Sequence, residues 1–347
     1  MSLKFTSWNL DWADTLVAGT TLPKKYAVPH PERKNLIFQT LREIDPDIFC
    51  MVEGPRGEQR AKTFGEDVLQ GEWVPVFLGD GTGAKDKQYE TSGWQWIWFY
   101  VKPEIADRCR LQDVSVWVDR TGPLKWKIHP WGEPCLTKDL YHYRHPQVLI
   151  YTFEDGSAME MIGVHLKSLR PDTPFSRDDD GNISFYYLQE ALTNRIKIAT
   201  EARNVRAYIS QRFADSAGTD PAIIIGGDCN DGEGQDYFEE NYLFFSVVSN
   251  LEGSILKSPE FFYHALFDYD PSRSWSVMFK DEVTGKPADE NRLLIDHILY
   301  SQPLRNGPYP VHARPNAGLV EHDAWEKFST GAPFPASDHR PVSITLT

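Results

Sequence analysis

Residues 222–231, Ala-Ile-Ile-Ile-Gly-Gly-Asp-Cys-Asn-Asp, constrain the fold of this chain more tightly than any other stretch. The apolar run 222–225 is rich in β-branched residues and too brief for a stable helix, so it predicts a buried strand. Gly226 and Gly227 end the run with residues that tolerate unusual dihedrals and let a ligand approach the backbone. Asp228 and Asn230 sit two apart and, if extended geometry persists, project from the same side. A carboxylate and an amide delivered together from the end of a buried strand suit a hard cation or a phosphoryl oxygen. The same two residues also favour an Asx-type turn, in which they satisfy only their own backbone. The stretch alone leaves both readings open.

The rest of the chain repeats the pattern of an apolar strand that ends in polar residues. Residues 3–8 alternate as a strand, with Asn9 at the end. Residues 31–44 carry apolar positions at helical spacing behind a proline, and residues 47–52 form a second buried strand that gives way at Glu53. Residues 56–93 are polar and glycine-rich, with one strand expected at 73–78, and 94–101 is an aromatic strand. Residues 103–145 read as loops over the core, with a strand at 113–118 and Trp117, Trp126 and Trp131 as local packing. Arg144 precedes a hairpin of strands 147–153 and 159–164. The second of these ends in His165-Leu166-Lys167-Ser168. A charged loop follows at 170–181, then the longest helix, 185–213. Residues 232–292 read as irregular. A strand at 293–300 is interrupted by Asp296-His297, a proline-rich span covers 303–335, and 342–346 closes the chain as a strand. With no internal repeat and no long linker, residues 1–347 read as a single domain with long loop insertions.

Composition excludes several classes. With 41% hydrophobic and 25% charged residues the chain is an ordinary globular one, and no apolar stretch approaches the roughly 20 residues of a spanning helix. Because a strand already starts near the N-terminus, no signal peptide is read there and a cytoplasmic location is the default expectation. The four cysteines, Cys50, Cys109, Cys135 and Cys229, contain no C-x-x-C pair, which argues against a zinc site or a disulfide framework. Cys50 and Cys229 fall in or beside strands as buried thiols. A net charge of −14 disfavours a general duplex-binding surface unless a local basic cleft compensates.

Strands packed in a sheet bring their ends together, so the polar strand-end residues are candidates for one site: Asn9, Glu53, His165, Asp228 with Asn230, Asp296, and Asp338 with His339. Each alone has a bland alternative as a cap, a surface ion or a packed histidine. Asp296 is the exception, because a carboxylate inside Leu-Leu-Ile-Asp-His-Ile-Leu-Tyr needs a partner if buried. Oxygen donors without a thiolate cluster imply Mg²⁺ or Mn²⁺. Two histidines beside carboxylates suggest proton transfer near neutral pH, and the whole set suits attack of water on phosphorus.

These residues resemble the endonuclease/exonuclease/phosphatase superfamily, which includes the deoxyribonuclease-I-like nucleases. The matching pieces are Ser7-Trp8-Asn9, Val52-Glu53, Gly163-Val164-His165-Leu166, Gly227-Asp228-Cys229-Asn230, Ile295-Asp296-His297-Ile298 and Ser337-Asp338-His339-Arg340-Pro341. They occur in the family's order and extend from end to end of the chain. Cys229 stands where the family usually has Phe or Leu. The resemblance implies an α/β four-layer sandwich, two packed mixed β-sheets flanked by helices. It places Glu53 on the metal with Asn9 and Asp338 as further ligands or water-mediated contacts. It has Asp296 orient His339, Asp228 and Asn230 hold the attacking water and phosphate oxygens, and His165 serve a non-bridging oxygen or the leaving group. Arg144 and Lys167 are expected to contact phosphate. The resulting expectation is a Mg²⁺/Mn²⁺-dependent hydrolase of phosphodiesters, with nucleic acid as one substrate class. A small-molecule or inositol phosphate phosphatase, a sphingomyelinase-like lipid phosphodiesterase and a catalytically inactive binding protein on the same fold are the alternatives.

Overall fold

The computed structural model describes residues 2–19, 30–121, 126–128, 136–138, 142–232, 236–241 and 246–347. Its main strands are β1 (Leu3–Asn9), β2 (Ile48–Gly54), β3 (Val74–Pro75), β4 (Trp96–Val101), β5 (Cys109–Leu111), β6 (Gln147–Thr152), β7 (Ala158–His165), β8 (Ala222–Asp228), β9 (Phe262–His264), β10 (Asp296–Ser301), β11 (Ala313–Val320) and β12 (Val342–Leu346). Six build sheet one, in the order β11-β12-β1-β2-β4-β3, and six build sheet two, in the order β9-β10-β8-β7-β6-β5. Each sheet has one parallel pair at its centre, β1 with β2 and β7 with β8, flanked by antiparallel neighbours.

The main helices are α1 (Glu32–Ile44), α2 (Glu58–Asp67), α3 (Ser115–Thr121), α4 (Phe185–Asp215), α5 (Val247–Glu252) and α6 (His322–Ser329). The run 222–228 shows why the layers form. Ile223 and Ile225 face outward onto Ile198, Val205 and Ile209 of α4, while Ala222 and Ile224 face inward to the core shared with sheet one. A strand buried on both faces needs the unbroken apolar run that its sequence has. On the other outer side, α1 buries Ile37, Leu41 and Ile44. The expected four layers are present: helices, sheet, sheet, helices.

Gly226 sets the closeness of the two sheets. A Cβ there would stand 2.5 Å from the Phe5 ring of the facing strand β1. Gly227 is in a conformation that only glycine adopts easily, φ 148°, and a Cβ would stand 1.9 Å from the Val164 carbonyl oxygen. Both glycines lie directly before Asp228, so the strand end that carries the carboxylate is held against sheet one and β7.

Several local expectations need correction. Residues 113–118 are not a strand: Asp113 accepts the Ser115 N–H at 2.8 Å ahead of α3, and Val114 just before the helix and Trp117 within it are buried. The Val114, Val116, Val118 alternation mimicked a strand, but the burial follows helical spacing. Only Val74–Pro75 of 73–78 pairs with β4, and the strand expected at 293–300 joins sheet two only from Asp296, running to Ser301, because Arg292–Leu293 pairs with Val277–Met278 instead. The glycine-rich span 56–93 contains α2, and the proline-rich span 303–335 contains β11 and α6. Cys135, Trp131 and the Trp126 side chain lie outside the described residues.

Candidate active site

Strand register assembles half of the site. His165, Asp228 and Asp296 are mutual partners across β7, β8 and β10, so they project from one face of sheet two in a single row. Sheet one delivers Asn9 at the end of β1 and Glu53 near the end of the neighbouring strand β2. Because β1 faces β8 across the sandwich, the two rows meet. Asn9 Nδ2 donates to Asp228 Oδ2 at 3.0 Å and to Glu53 Oε1 at 3.3 Å. His165 Nε2 lies 3.6 Å from Asp228 Oδ2 and 3.8 Å from Glu53 Oε1.

The turn entering β12 contributes the remaining side chains. His339 Nδ1 donates to Asp296 Oδ2 at 2.7 Å, with Asp296 fully buried. That turn is pinned from four directions. Ser337 Oγ donates to the Asn9 carbonyl at 2.6 Å, Trp325 Nε1 to the Ser337 carbonyl at 3.1 Å, Trp8 Nε1 to the His339 carbonyl at 2.9 Å, and the Arg340 N–H to the Ser276 carbonyl at 2.8 Å. Arg340 itself is sandwiched between the rings of Trp275 and Trp325, 4.4 and 3.8 Å from their centroids. Ser276 also braces the other partner, its Oγ accepting the N–H groups of Ile295 and Asp296 at 3.2 Å each.

Backbone strain concentrates here. Asp11, Trp12, Glu53 and Asn230 are four of the eight non-glycine residues with positive φ among the described residues, at 43°, 57°, 58° and 50°. Each costs on the order of 1–3 kcal/mol, and such residues cluster where side chains must be aimed. Trp12 turns its N–H to Glu53 Oε2 at 3.0 Å, and Asp11 donates its N–H to Asn9 Oδ1 at 3.0 Å. Asn230 corrects one expectation. It does not continue the strand beside Asp228: its N–H bonds Asp228 Oδ1 at 2.8 Å in an Asx turn, while its side chain donates to the Leu166 carbonyl at 3.0 Å. The turn and the site coexist, because the turn leaves Asp228 Oδ2 facing Asn9.

The electrostatics divide the histidines. Burial opposes charge on His339, but Asp296, with Asp338 and Asp228 behind it, outweighs burial and holds the imidazolium well above its ordinary range. His165 is pushed the other way, by burial and then by Arg144 and His339, and stays neutral. Burial, then Asp296, pushes the Asp228 carboxyl up to about 7. Asp228, Asp296 and His339 offer ligand atoms within 4.8 Å of one another, a spacing that could grip an ion. With His339 charged and bonded to Asp296, however, that trio is better suited to proton chemistry than to ligation.

The mouth of the site is acidic. Asp338, exposed, carries its Oδ1 3.9 Å from His339 Nε2. Asp11, which the sequence reading missed, has its carboxyl raised to about 6 by burial and then by Asp338, with Arg33 opposing and Glu53 adding. The only sequence clue was its place two residues beyond Asn9. Arg33 Nη1 stands 3.9 Å from Asp11, leaving three carboxylates against Arg33 and the His339 imidazolium. Asp11, Glu53 and Asp338, with the Asn9 amide, form an oxygen-only donor set with excess negative charge, which fits a hard divalent cation.

Of the two expected phosphate contacts, Arg144 is in the site. Its Nε donates to the His165 carbonyl at 3.1 Å and its Nη1 to Gln95 Oε1 at 3.0 Å, and Glu53 and Asp228 both act on its charge. Lys167 is anchored through its backbone N–H, which donates to Glu201 Oε2 at 2.6 Å. His297 points away from the site, its Nε2 bonded to the Asp231 carbonyl and its Nδ1 to His264 Nε2, both at 2.9 Å.

No protein-family model matches the sequence, and no curated protein matches it. Among solved structures, truncated Caenorhabditis elegans TDP2 is similar over 100% of this chain and 97% of its own, at 14% identity and a TM-score of 0.52. D. rerio TDP2, solved with a single-strand DNA product, is similar over 100% and 99%, at 12% identity and a TM-score of 0.51. An endonuclease/exonuclease/phosphatase family protein from Bacteroides thetaiotaomicron aligns over 100% and 97%, at 17% identity and a TM-score of 0.48. The architecture is thus the fold of these TDP2 structures, here two mixed six-stranded sheets flanked by helices. At these identities the likeness is one of fold.

Proposed function

We propose that this protein is a Mg²⁺- or Mn²⁺-dependent phosphoesterase, with residues 1–347 acting as one catalytic domain, and that it hydrolyses a phosphodiester by attack of water at phosphorus. The observation that carries this reading is the convergence of Asn9, Glu53, His165, Asp228, Asp296 and His339, from both sheets, into one hydrogen-bonded network. Glu53, with Asn9, Asp11 and Asp338, would hold the cation, which when bound would neutralise phosphate charge and polarise the phosphoryl group. The chain supplies the rest. Asp296 commits Nδ1 of His339, so only Nε2 is left to donate to a phosphate oxygen. Asp228 accepts the proton of the attacking water, with Asn9 and the Asn230 N–H fixing its carboxylate. His165, neutral, donates to a non-bridging oxygen or the leaving group, and Arg144, steered by Gln95, pairs with phosphate.

The single-strand DNA product of D. rerio TDP2 makes nucleic acid a reasonable diester to try. A monoesterase is the competing reading, favoured by the cations beside His165, which suit a dianion. Hydrolysis of bis-(p-nitrophenyl) phosphate against p-nitrophenyl phosphate, each with Mg²⁺, Mn²⁺ or EDTA, tests both. EDTA-sensitive cleavage of the diester is expected. Metal-independent turnover, or none on either ester, would overturn the proposal.

A further inference from the structure

The proposed chemistry leaves Arg33, in the first turn of α1, without a role, yet its side chain is only 6% exposed. The positive end of the helix dipole and the loss of water both disfavour a cation there, so its surroundings must compensate. They do so with carbonyl groups. Nη2 donates to the Leu10 carbonyl at 2.7 Å and to the Ala336 carbonyl at 2.9 Å. Nε donates to the same Ala336 oxygen at 3.2 Å, and Nη1 to the Asp11 carbonyl at 3.1 Å. The Asp11 carboxylate stands off at 3.9 Å, its side chain 45% exposed.

Two of these carbonyls belong to peptide groups whose other end touches the site. A trans peptide points its C=O and its N–H in opposite directions. The peptide joining Leu10 to Asp11 has Arg33 on its oxygen and gives its N–H to Asn9 Oδ1 at 3.0 Å. The next peptide, joining Asp11 to Trp12, has Arg33 on its oxygen and gives its N–H to Glu53 Oε2 at 3.0 Å. Asp11 and Trp12 are the two successive left-handed residues, at φ 43° and 57°, a conformation that lasts only where its surroundings hold it. The third carbonyl, that of Ala336, leads into Ser337-Asp338-His339, and Ser337 Oγ in turn holds the Asn9 carbonyl. One guanidinium thus grips the exit of β1 and the turn entering β12 together. The planar fork of donors in arginine can do this, and the single ammonium of lysine cannot.

We propose that Arg33 is a positioning residue for the divalent cation. Through the two peptides it fixes the oxygens of Asn9 and Glu53, and through Ala336 it holds the segment of Asp338 beside them. This rests on the metal-dependent reading above. The charge of Arg33 alone would act in the opposite sense, because a cation beside the donor set repels a second one. Geometry and charge therefore predict opposite signs when Arg33 is removed.

The test measures Mn²⁺ binding to the whole protein without substrate, by loss of the free-ion EPR signal, with thermal melts alongside. Arg33→Met should weaken Mn²⁺ binding about tenfold or more, the loss usual for an outer partner of a metal site. Arg33→Lys keeps the charge but not the fork, and it should bind no better than Arg33→Met. If Arg33→Met does not fold, Arg33→Lys against the unsubstituted protein carries the same comparison. The Mg²⁺ concentration for half-maximal hydrolysis should rise in parallel, with a smaller change in kcat at saturating Mg²⁺. Unchanged or tighter Mn²⁺ binding in the folded variants would overturn the inference, even if their melting temperatures fall. Absence of Mn²⁺ binding by the unsubstituted protein would instead overturn the metal-dependent reading itself.

Discussion

The two sheets are built alike and furnished differently. Each has six strands around one central parallel pair, and each presents polar residues at the same edge of the sandwich. Sheet two offers His165, Asp228 and Asp296 in one buried row, all less than a tenth exposed. Sheet one offers Glu53 with its neighbours Asp11 and Asp338, all of them at least partly exposed and the first two on strained backbone. In the buried row desolvation and close neighbours act together on His165, held neutral, and on Asp228, whose carboxyl is pushed up. The open row is where uncompensated negative charge can meet an incoming cation. His339 joins them: its chain segment leads into sheet one, and its ring bonds to sheet two.

If that division is right, removing a group from either row should produce a different failure. His339→Ala or Asp228→Asn should lower kcat by about 10²–10⁴ while the folding transition stays near its original place. Steady-state rates on the diester together with thermal melts check this, and a fully active variant would break the assignment. Glu53→Gln should instead raise the Mg²⁺ concentration for half-maximal rate. Loss of an outer partner of a metal site alone costs about 10–100-fold in affinity, so a direct ligand should cost at least that. A metal titration that superimposes on the original curve would take Glu53 out of the metal site.

Two smaller effects sharpen the contrast away from the reaction. Sheet two carries another polar pair, half-buried His264 with buried His297, and desolvation followed by His297 lowers the His264 pKa from 6.5 to about 3. The folded state thus holds this ring neutral while the unfolded chain takes up a proton. Its contribution is present above pH 6.5 and is lost as pH falls toward 3. Between pH 7 and pH 5 the unfolding free energy should drop on the order of 1–2 kcal/mol from this group, read by denaturant melts, with a flatter profile in His264→Gln. On the side of sheet one, Arg340→Met should cost about 1 kcal/mol of stability by ending the stack with Trp275 and Trp325. It should also lower kcat severalfold with little change in KM, since the segment that presents His339 loses a clamp. An unchanged kcat would make the stack purely structural.

Much of this was legible in the sequence for one physical reason. Buried central strands need continuous apolar runs, so a polar residue at the end of such a run stands out, as Glu53, His165 and Asp228 do. What stayed hidden was geometry with no periodic trace. Asp11 enters the site through two successive left-handed residues that no pattern announces. Strand β11 is obscured by Pro315 and Gly318 and by a register shift between Ala313 and Gly318. Ser276 sits in a stretch that reads as irregular and shows its part only once Asp296 and Arg340 are seen on either side of it. At Asn230 the sequence leaves an extended strand and an Asx turn both open, and the structure has the turn.

The position of β1 between β2 and β12 has a consequence for the order of events during synthesis. Asn9 is synthesised long before Ser337, which bonds to it from 328 residues away, and Leu3 pairs with Leu346. Until β12 is released, β1 lacks its neighbour on one side and the Asp296 carboxylate lacks its histidine. A nascent chain therefore cannot assemble the candidate site piecemeal. The contacts that complete it are among the longest in sequence, which makes closure a late and slow step, and the candidate site stays incomplete until β12 is in place.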